Sequence, residues 1–116
     1  MVELMIVIAI VAILVAVAIP NYQESVRKSR RADAQTDLLE FAGTAERVYN
    51  QDNSYAAIVL PTSTDYYTYS FPVAVTANAY TIRATPKTIQ DSDACGTMNL
   101  TQTGARTHTG ELTGCW

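Results

Sequence analysis

The chain begins Met1-Val2-Glu3 and continues as LMIVIAIVAILVAVAI over residues 4–19, followed by Pro20. An amphipathic helix of a small soluble domain keeps a polar face toward water, and these consecutive apolar residues provide none. The stretch therefore predicts a helix that lipid or other helices cover on every side. A single acid, Glu3, precedes it, although a carboxylate at the centre of a membrane helix costs about 2.5–3.5 kcal/mol, and less near its end.

Three interpretations of this apolar stretch are open: a membrane anchor, a secretory signal peptide and a self-assembly helix. A signal peptide has a basic leading segment, which is missing here, and Ala18-Ile19-Pro20 is a poor cleavage context. A membrane anchor needs about 20 apolar residues, and the uncharged stretch reaches that length only by extending to Gln23. The composition favours the anchor.

Residues 21–50 change to a helical period with one apolar face. We predict one helix from about residue 2 to about residue 50, with a hydrophobic segment over 1–20 and an amphipathic half over 21–50. Pro20 is tolerated within such a helix as a kink. The apolar residues of the amphipathic half recur at steps of three and four: Leu38, Phe41, Ala42, Ala45, Val48 and Tyr49.

Residues 51–116 are strand-like and form the predicted globular part. The expected fold class is α+β, with the long helix packed on a small antiparallel sheet of three to four strands. The expected strands, the last of them weak, are Tyr66–Val75, Ala79–Thr85, Thr97–Thr103 and Thr107–Leu112.

Cys95 and Cys115 are the only cysteines, and their spacing fits neither a CxxC motif nor a four-ligand zinc site. A disulfide is favoured over two unpaired thiols, because a domain this small gains from a covalent link. Such a bond would place the C-terminal part in an oxidising compartment.

Charge is distributed unevenly: the chain carries a net charge of −3, yet a basic cluster of Arg27, Lys28, Arg30 and Arg31 follows the apolar stretch. The cluster could meet lipid phosphates or DNA, but a solvated or inter-subunit helix face is the favoured interpretation. The positive-inside tendency would place this cluster in the cytoplasm, whereas a disulfide between the two cysteines requires an oxidising compartment on the same side of the membrane. The distal part is acidic, which argues against general nucleic-acid binding.

Few side chains in the chain could carry chemistry. His108, the only histidine, is expected to be solvent-exposed, and Asp91-Ser92-Asp93 is expected to be a surface loop, since a calcium loop would need more ligands. Asn99-Leu100-Thr101 meets the minimal glycosylation pattern, but an ordinary strand is favoured. We therefore expect no catalytic residue, no metal site, no cofactor and no enzymatic activity.

Several of these segments resemble a known family. Residues 2–14 and 18–22 resemble the N-terminal helix of type IV pilins, in which Glu3 and Pro20 keep the family's separation. Two residues that the family places before Met1 are missing, and Ala12 stands where the family usually has glycine. The segments that resemble the PilE-type branch, whose members are often minor pilins, are residues 26–34, 53–55, 95–97 and 115–116.

The resemblance implies a structural subunit of a bacterial type IV pilus. Its monomer would lie in the inner membrane and would polymerise through its helix with itself and other pilins, with help from the pilus assembly machinery, into an extracellular filament. Glu3 and Pro20 would be the assembly residues, and Cys95 and Cys115 would fasten the last loop. A minor pilin, a type II secretion pseudopilin, and a displayed module for DNA uptake or adhesion remain alternatives; no feature of the sequence supports a DNA or surface ligand.

Overall fold

The computed structural model describes residues 1–116, and its longest dimension is 76 Å. That length belongs to one helix, α1, which runs without interruption through Val2–Asp52. Asn53 ends the helix in a left-handed conformation with a φ of 53°, and its N–H donates to the Tyr49 carbonyl oxygen at 2.7 Å. The single helix expected from the sequence is confirmed, and it continues slightly beyond the expected end.

Four strands follow the helix and form one antiparallel sheet in which each strand pairs with the next. All four expected strands are present, but each is shorter than the sequence suggested. The pairing of the first strand ends at Ser70, two residues before Pro72, which has no N–H to donate to a neighbouring strand. The strands are β1 Tyr67–Ser70, β2 Thr81–Pro86, β3 Met98–Thr101 and β4 Arg106–His108.

The core lies between one face of α1 and the inner face of the sheet. From the helix, the fully buried Leu38 and Ala45 and the nearly buried Phe41 face the sheet. Side chains alternate across each strand, so every second residue points at the helix. Burying each large apolar side chain contributes roughly 1.5–3 kcal/mol. The inward-facing strand residues are Tyr67, Tyr69, Ile82, Ala84, Met98 and Leu100.

An aromatic cluster joins the chain after the helix to the top of the core. The ring of Tyr55 stacks on Tyr49 at 4.6 Å and meets Tyr80 edge-on at 4.9 Å. The Tyr55 hydroxyl donates to Glu46 at 2.6 Å, and this hydrogen bond raises the pKa of Tyr55 to about 12. The start of the loop between α1 and β1 is thus attached to the last two turns of the helix.

The C-terminal segment returns to the sheet and is fixed there by a disulfide between Cys95 and Cys115. Gly110 passes so close to this loop that a Cβ atom would lie 1.8 Å from the Ala94 carbonyl oxygen, so only glycine fits. The Gln35 side-chain amide donates to the Cys115 carbonyl oxygen, which connects the segment to the helix.

We predict that replacing Cys95 and Cys115 by serine lowers the free energy of unfolding by about 3 kcal/mol, because the disulfide closes a loop of moderate length. The C-terminal segment should loosen before the helix does. Hydrogen exchange of the full chain, with and without the substitutions, measures this. Equal loss of protection in residues 2–30 and 102–116 would contradict the prediction, as would two free thiols in the wild-type chain.

Candidate assembly site

The N-terminal part of α1 is an apolar surface with nothing packed on it. None of the 18 most apolar consecutive residues of this helix is buried within the chain. Individual side chains in this stretch, such as Ile13 at 66% and Leu14 at 62%, are largely exposed. An apolar surface this large and continuous marks contact with a membrane or another chain. Helix α1 is long and apolar enough to cross a membrane.

Glu3 lies in the first turn of α1 and is exposed. The free N–H groups of that turn favour a nearby carboxylate, because the N-terminal end of a helix carries a partial positive charge. Neither ion pair within the chain involves Glu3. Its charge therefore has no counter-charge in the isolated subunit.

Pro20 lies inside α1, which remains helical on both sides of it. Proline has no N–H and its ring crowds the carbonyl group one turn earlier, so the helix lacks a hydrogen bond there. Ala12, in place of the family's usual glycine, favours helix by about 1 kcal/mol. The intact helix around Pro20 is consistent with that preference.

A buried ion pair joins α1 to the loop between β2 and β3. The Arg31 guanidinium donates to the Asp93 carboxylate at 2.5 Å, and the side chains of the two residues are 7% and 0% exposed. Two of our expectations are corrected here. Arg31 does not belong to a solvated or inter-subunit face, and Asp93 is buried, although Asp91 and Ser92 of the same loop are exposed as expected. The physical reason is the pairing, because each charge makes the burial of the other tolerable.

Asp93 is the centre of a larger polar network. Besides Arg31, its carboxylate accepts hydrogen bonds from the Tyr67 hydroxyl at 3.2 Å and the Cys95 backbone N–H at 3.2 Å. The Gln90 side chain donates to the Arg27 carbonyl oxygen on α1 at 2.9 Å. Burial raises the pKa of Tyr67 to about 12, so its hydroxyl can still donate to Asp93 at alkaline pH, where an ordinary tyrosine would lose its proton. The network holds helix, sheet and disulfide loop in one arrangement.

The rest of the basic cluster stays near the surface. Arg27 pairs with Glu24 at 3.4 Å, Lys28 is exposed, and the Arg30 guanidinium lies 4.0 Å from the centre of the Tyr66 ring. Because exposed ion pairs contribute only about 0–1 kcal/mol, Arg27 is free to change partners.

The remaining candidate residues have ordinary surroundings. His108 ends β4 and is partly buried, with its Nδ1 atom inaccessible to solvent, so the expectation of a solvent-exposed histidine is wrong. Asn99 lies in β3, where its side chain accepts from Arg83 at 3.0 Å. No group of three or more His, Cys, Asp or Glu side chains is placed to hold a metal ion.

Comparison with solved structures defines the class. A type IV pilin from Shewanella oneidensis superimposes with a TM-score of 0.67 and 32% sequence identity, over 78% of this chain and 97% of that one. The non-core minor pilin PilV of Neisseria meningitidis superimposes with a TM-score of 0.65 and 25% identity, over 79% of this chain and 95% of that one. The long helix and four-stranded sheet are the type IV pilin fold, as the sequence led us to expect.

The sequence also matches a particular family. Its profile, described as "Type IV minor pilin ComP, DNA uptake sequence receptor", covers residues 20–99. The chain belongs to this family of type IV minor pilins. Pilins of this fold are structural subunits that assemble with other pilins into type IV pili, and the resemblance stated from the sequence is confirmed.

Proposed function

We propose that this chain is a minor subunit of a type IV pilus, held as a monomer in the inner membrane and polymerised through the N-terminal part of α1. One observation carries membrane storage and polymerisation: the apolar stretch is entirely unburied within the subunit. The family match supports a minor rather than a bulk subunit. Lipid covers it in the monomer, and helices of neighbouring pilins cover it in the filament. The assembly machinery has to move it from one environment to the other.

Glu3 favours the filament over the membrane in this exchange of environments. A carboxylate without a counter-charge costs energy in apolar surroundings, whereas one beside an amine is tolerated. In the filament, Glu3 neutralises the N-terminal amine of an adjacent subunit. The exposure of Glu3 and the absence of an internal partner support this role.

Pro20 gives α1 a point at which the helix can bend. The missing hydrogen bond before it makes this point of α1 the easiest to bend. A bend there lets the apolar segment follow its neighbours while the Arg31–Asp93 pair keeps the sheet fixed to the other half of the helix.

Quantitative mass spectrometry of sheared, purified pili tests the minor-subunit proposal. We expect the chain to be present at a small fraction of the bulk pilin. Pili that lack the chain, while the same cells hold it in their membranes, would refute incorporation. If the chain were instead the bulk subunit, the assignment as a minor pilin would be wrong and polymerisation through α1 would stand.

A second candidate function, DNA uptake, is supported by the family match and by one pair of residues in the globular part. The Arg106 guanidinium lies 5.4 Å from the centre of the Trp116 ring, at an exposed end of the sheet. A cation beside an aromatic ring can meet both phosphate and base. The acidic balance of residues 51–116 counts against this function.

We expect that, if the chain takes up DNA, Arg106→Gln lowers duplex binding by the full-length chain by roughly fivefold. Arg47→Gln, which removes an equal charge from the exposed side of α1, is the matched control. Binding that is equally weak in the wild type and both variants would refute DNA uptake by this surface.

A further inference from the structure

The position of the remaining basic residues on α1 follows from helix geometry. Residues 2–19 span about 27 Å at about 1.5 Å per residue, close to the roughly 30 Å of a bilayer's hydrocarbon core. Tyr22 then lies about 5 Å above Ile19, and Arg27 about 12 Å above it. Side chains on a helix lean toward its N-terminus, which here means toward the membrane. The long Arg27 and Lys28 side chains are therefore within reach of the headgroup layer, and Arg30, about 16 Å above Ile19, lies at its outer edge.

A notch of about 280 Å³ lies at this level between α1 and the loop that follows β2. Arg27 and Arg30 form its basic wall, and Val26 contributes an apolar wall. Its rim carries two exposed residues, Tyr22 at 72% and Ile89 at 63%. Arginine beside exposed apolar and aromatic side chains matches the boundary between headgroups and acyl chains, where tyrosine is enriched.

We propose that Tyr22, Arg27, Lys28, Arg30 and Ile89 form a collar that binds the headgroups of anionic phospholipids around the stored monomer. The proposal rests on the membrane storage proposed above. Arg30 is already held against Tyr66, so little ordering is needed before it meets a phosphate. Within this collar Glu24 forms an ion pair with Arg27 only, so it offsets only part of the positive charge.

The position of the collar favours lipid over nucleic acid as its ligand. The collar continues directly from the membrane-spanning stretch, so a duplex approaching it would meet the bilayer surface first. The exposed Ile89 side chain gains by entering a lipid interface and gains nothing from a phosphate backbone. Anionic headgroups also account for a basic cluster on the exported side of the helix, against the positive-inside tendency.

Fluorescence quenching in vesicles tests the collar. The full-length chain carrying Tyr22→Trp is reconstituted into phosphatidylcholine vesicles containing phosphatidylglycerol, with one or the other lipid brominated at equal mole fraction. The signal of Trp116, measured in the parent chain, is subtracted, which leaves the indole fluorescence of position 22. We expect brominated phosphatidylglycerol to associate with this indole about threefold more strongly than brominated phosphatidylcholine, and high salt to remove the preference.

The triple substitution Arg27→Gln, Lys28→Gln, Arg30→Gln, made in the Tyr22→Trp chain, should bring the preference to one. Its matched control removes three positive charges elsewhere, Arg47→Gln, Arg83→Gln and Arg106→Gln, and should keep the preference. The collar would be overturned if the two lipids quenched the Tyr22→Trp chain equally, or if its preference for phosphatidylglycerol did not respond to salt. It would also be overturned if both triple variants lost that preference equally. Duplex DNA binding that depends on the collar, without a lipid preference, would also overturn it.

The same experiment separates the collar from the storage it rests on. If neither brominated lipid quenches the indole at position 22, residues 2–19 do not lie in the bilayer, and both proposals fall. If both lipids quench it equally, the chain is inserted as proposed and the collar alone is wrong.

Discussion

Glu3→Ala should accumulate in the membrane and be missing from pili. The substitution makes α1 more apolar, so insertion survives or improves. Incorporation should fail, because the amine of a neighbouring subunit would be buried without its counter-charge, a loss on the order of 3–5 kcal/mol in a dry site. The two effects have opposite signs, and a simple membrane anchor would show only the first.

Immunoblots of membranes and of sheared pili from the same cells measure both effects. Glu24→Ala is the matched control, since Glu24 is an exposed acid on α1 whose only ion-pair partner is Arg27 at 3.4 Å. It should enter pili at the wild-type level. If Glu3→Ala also enters pili at that level, the role proposed for Glu3 is wrong.

Arg31→Met should destabilise the globular part by about 3–5 kcal/mol, because it leaves the fully buried Asp93 carboxylate without its cation. The Cys95 backbone N–H and the Tyr67 hydroxyl also bond to that carboxylate, so the damage should extend to the disulfide loop. Thermal unfolding of the full-length chain in detergent, followed by near-ultraviolet circular dichroism, gives the size of the effect.

Arg30→Met is the matched control, one residue away with its guanidinium over Tyr66 rather than in a buried pair. It should cost about 1 kcal/mol or less. Adding Asp93→Asn to Arg31→Met should restore part of the loss, since the amide carries no charge to bury. Equal midpoints for Arg30→Met and Arg31→Met would show that the ion pair does not hold the helix to the sheet.

The sequence predicts the helix well because two patterns that each indicate a helix directly follow one another along the chain. An apolar stretch without a polar face is followed by apolar residues at helical spacing, and the one strong breaker before Asn53, Pro20, is tolerated within the helix. Strand ends are predicted less well, because they depend on which backbone groups find partners. Phe71 and Val75 have strand-like side chains, yet the pairing of β1 with β2 covers only Tyr67–Ser70.

The Arg31–Asp93 pair was missed because charged residues are usually exposed, and a cluster of four basic residues within residues 27–31 suggests a solvated face. One signal could have found Arg31. Arg31 lies three residues before Ala34 and continues the spacing of three and four residues that places Leu38, Phe41 and Ala45 on one face of the helix. It is therefore the first residue of the buried stripe. Asp93 had no such signal, because its burial depends on how the loop after β2 folds back onto α1.

The central claim, polymerisation through the apolar helix, is tested most directly by placing a photo-crosslinking amino acid at Ile13, which is 66% exposed in the subunit. In sheared pili, irradiation should join this position to the helix of another pilin. In cells that cannot assemble pili, the same position should crosslink to lipid. Pili that contain the chain but yield no pilin–pilin product from position 13 would contradict the account.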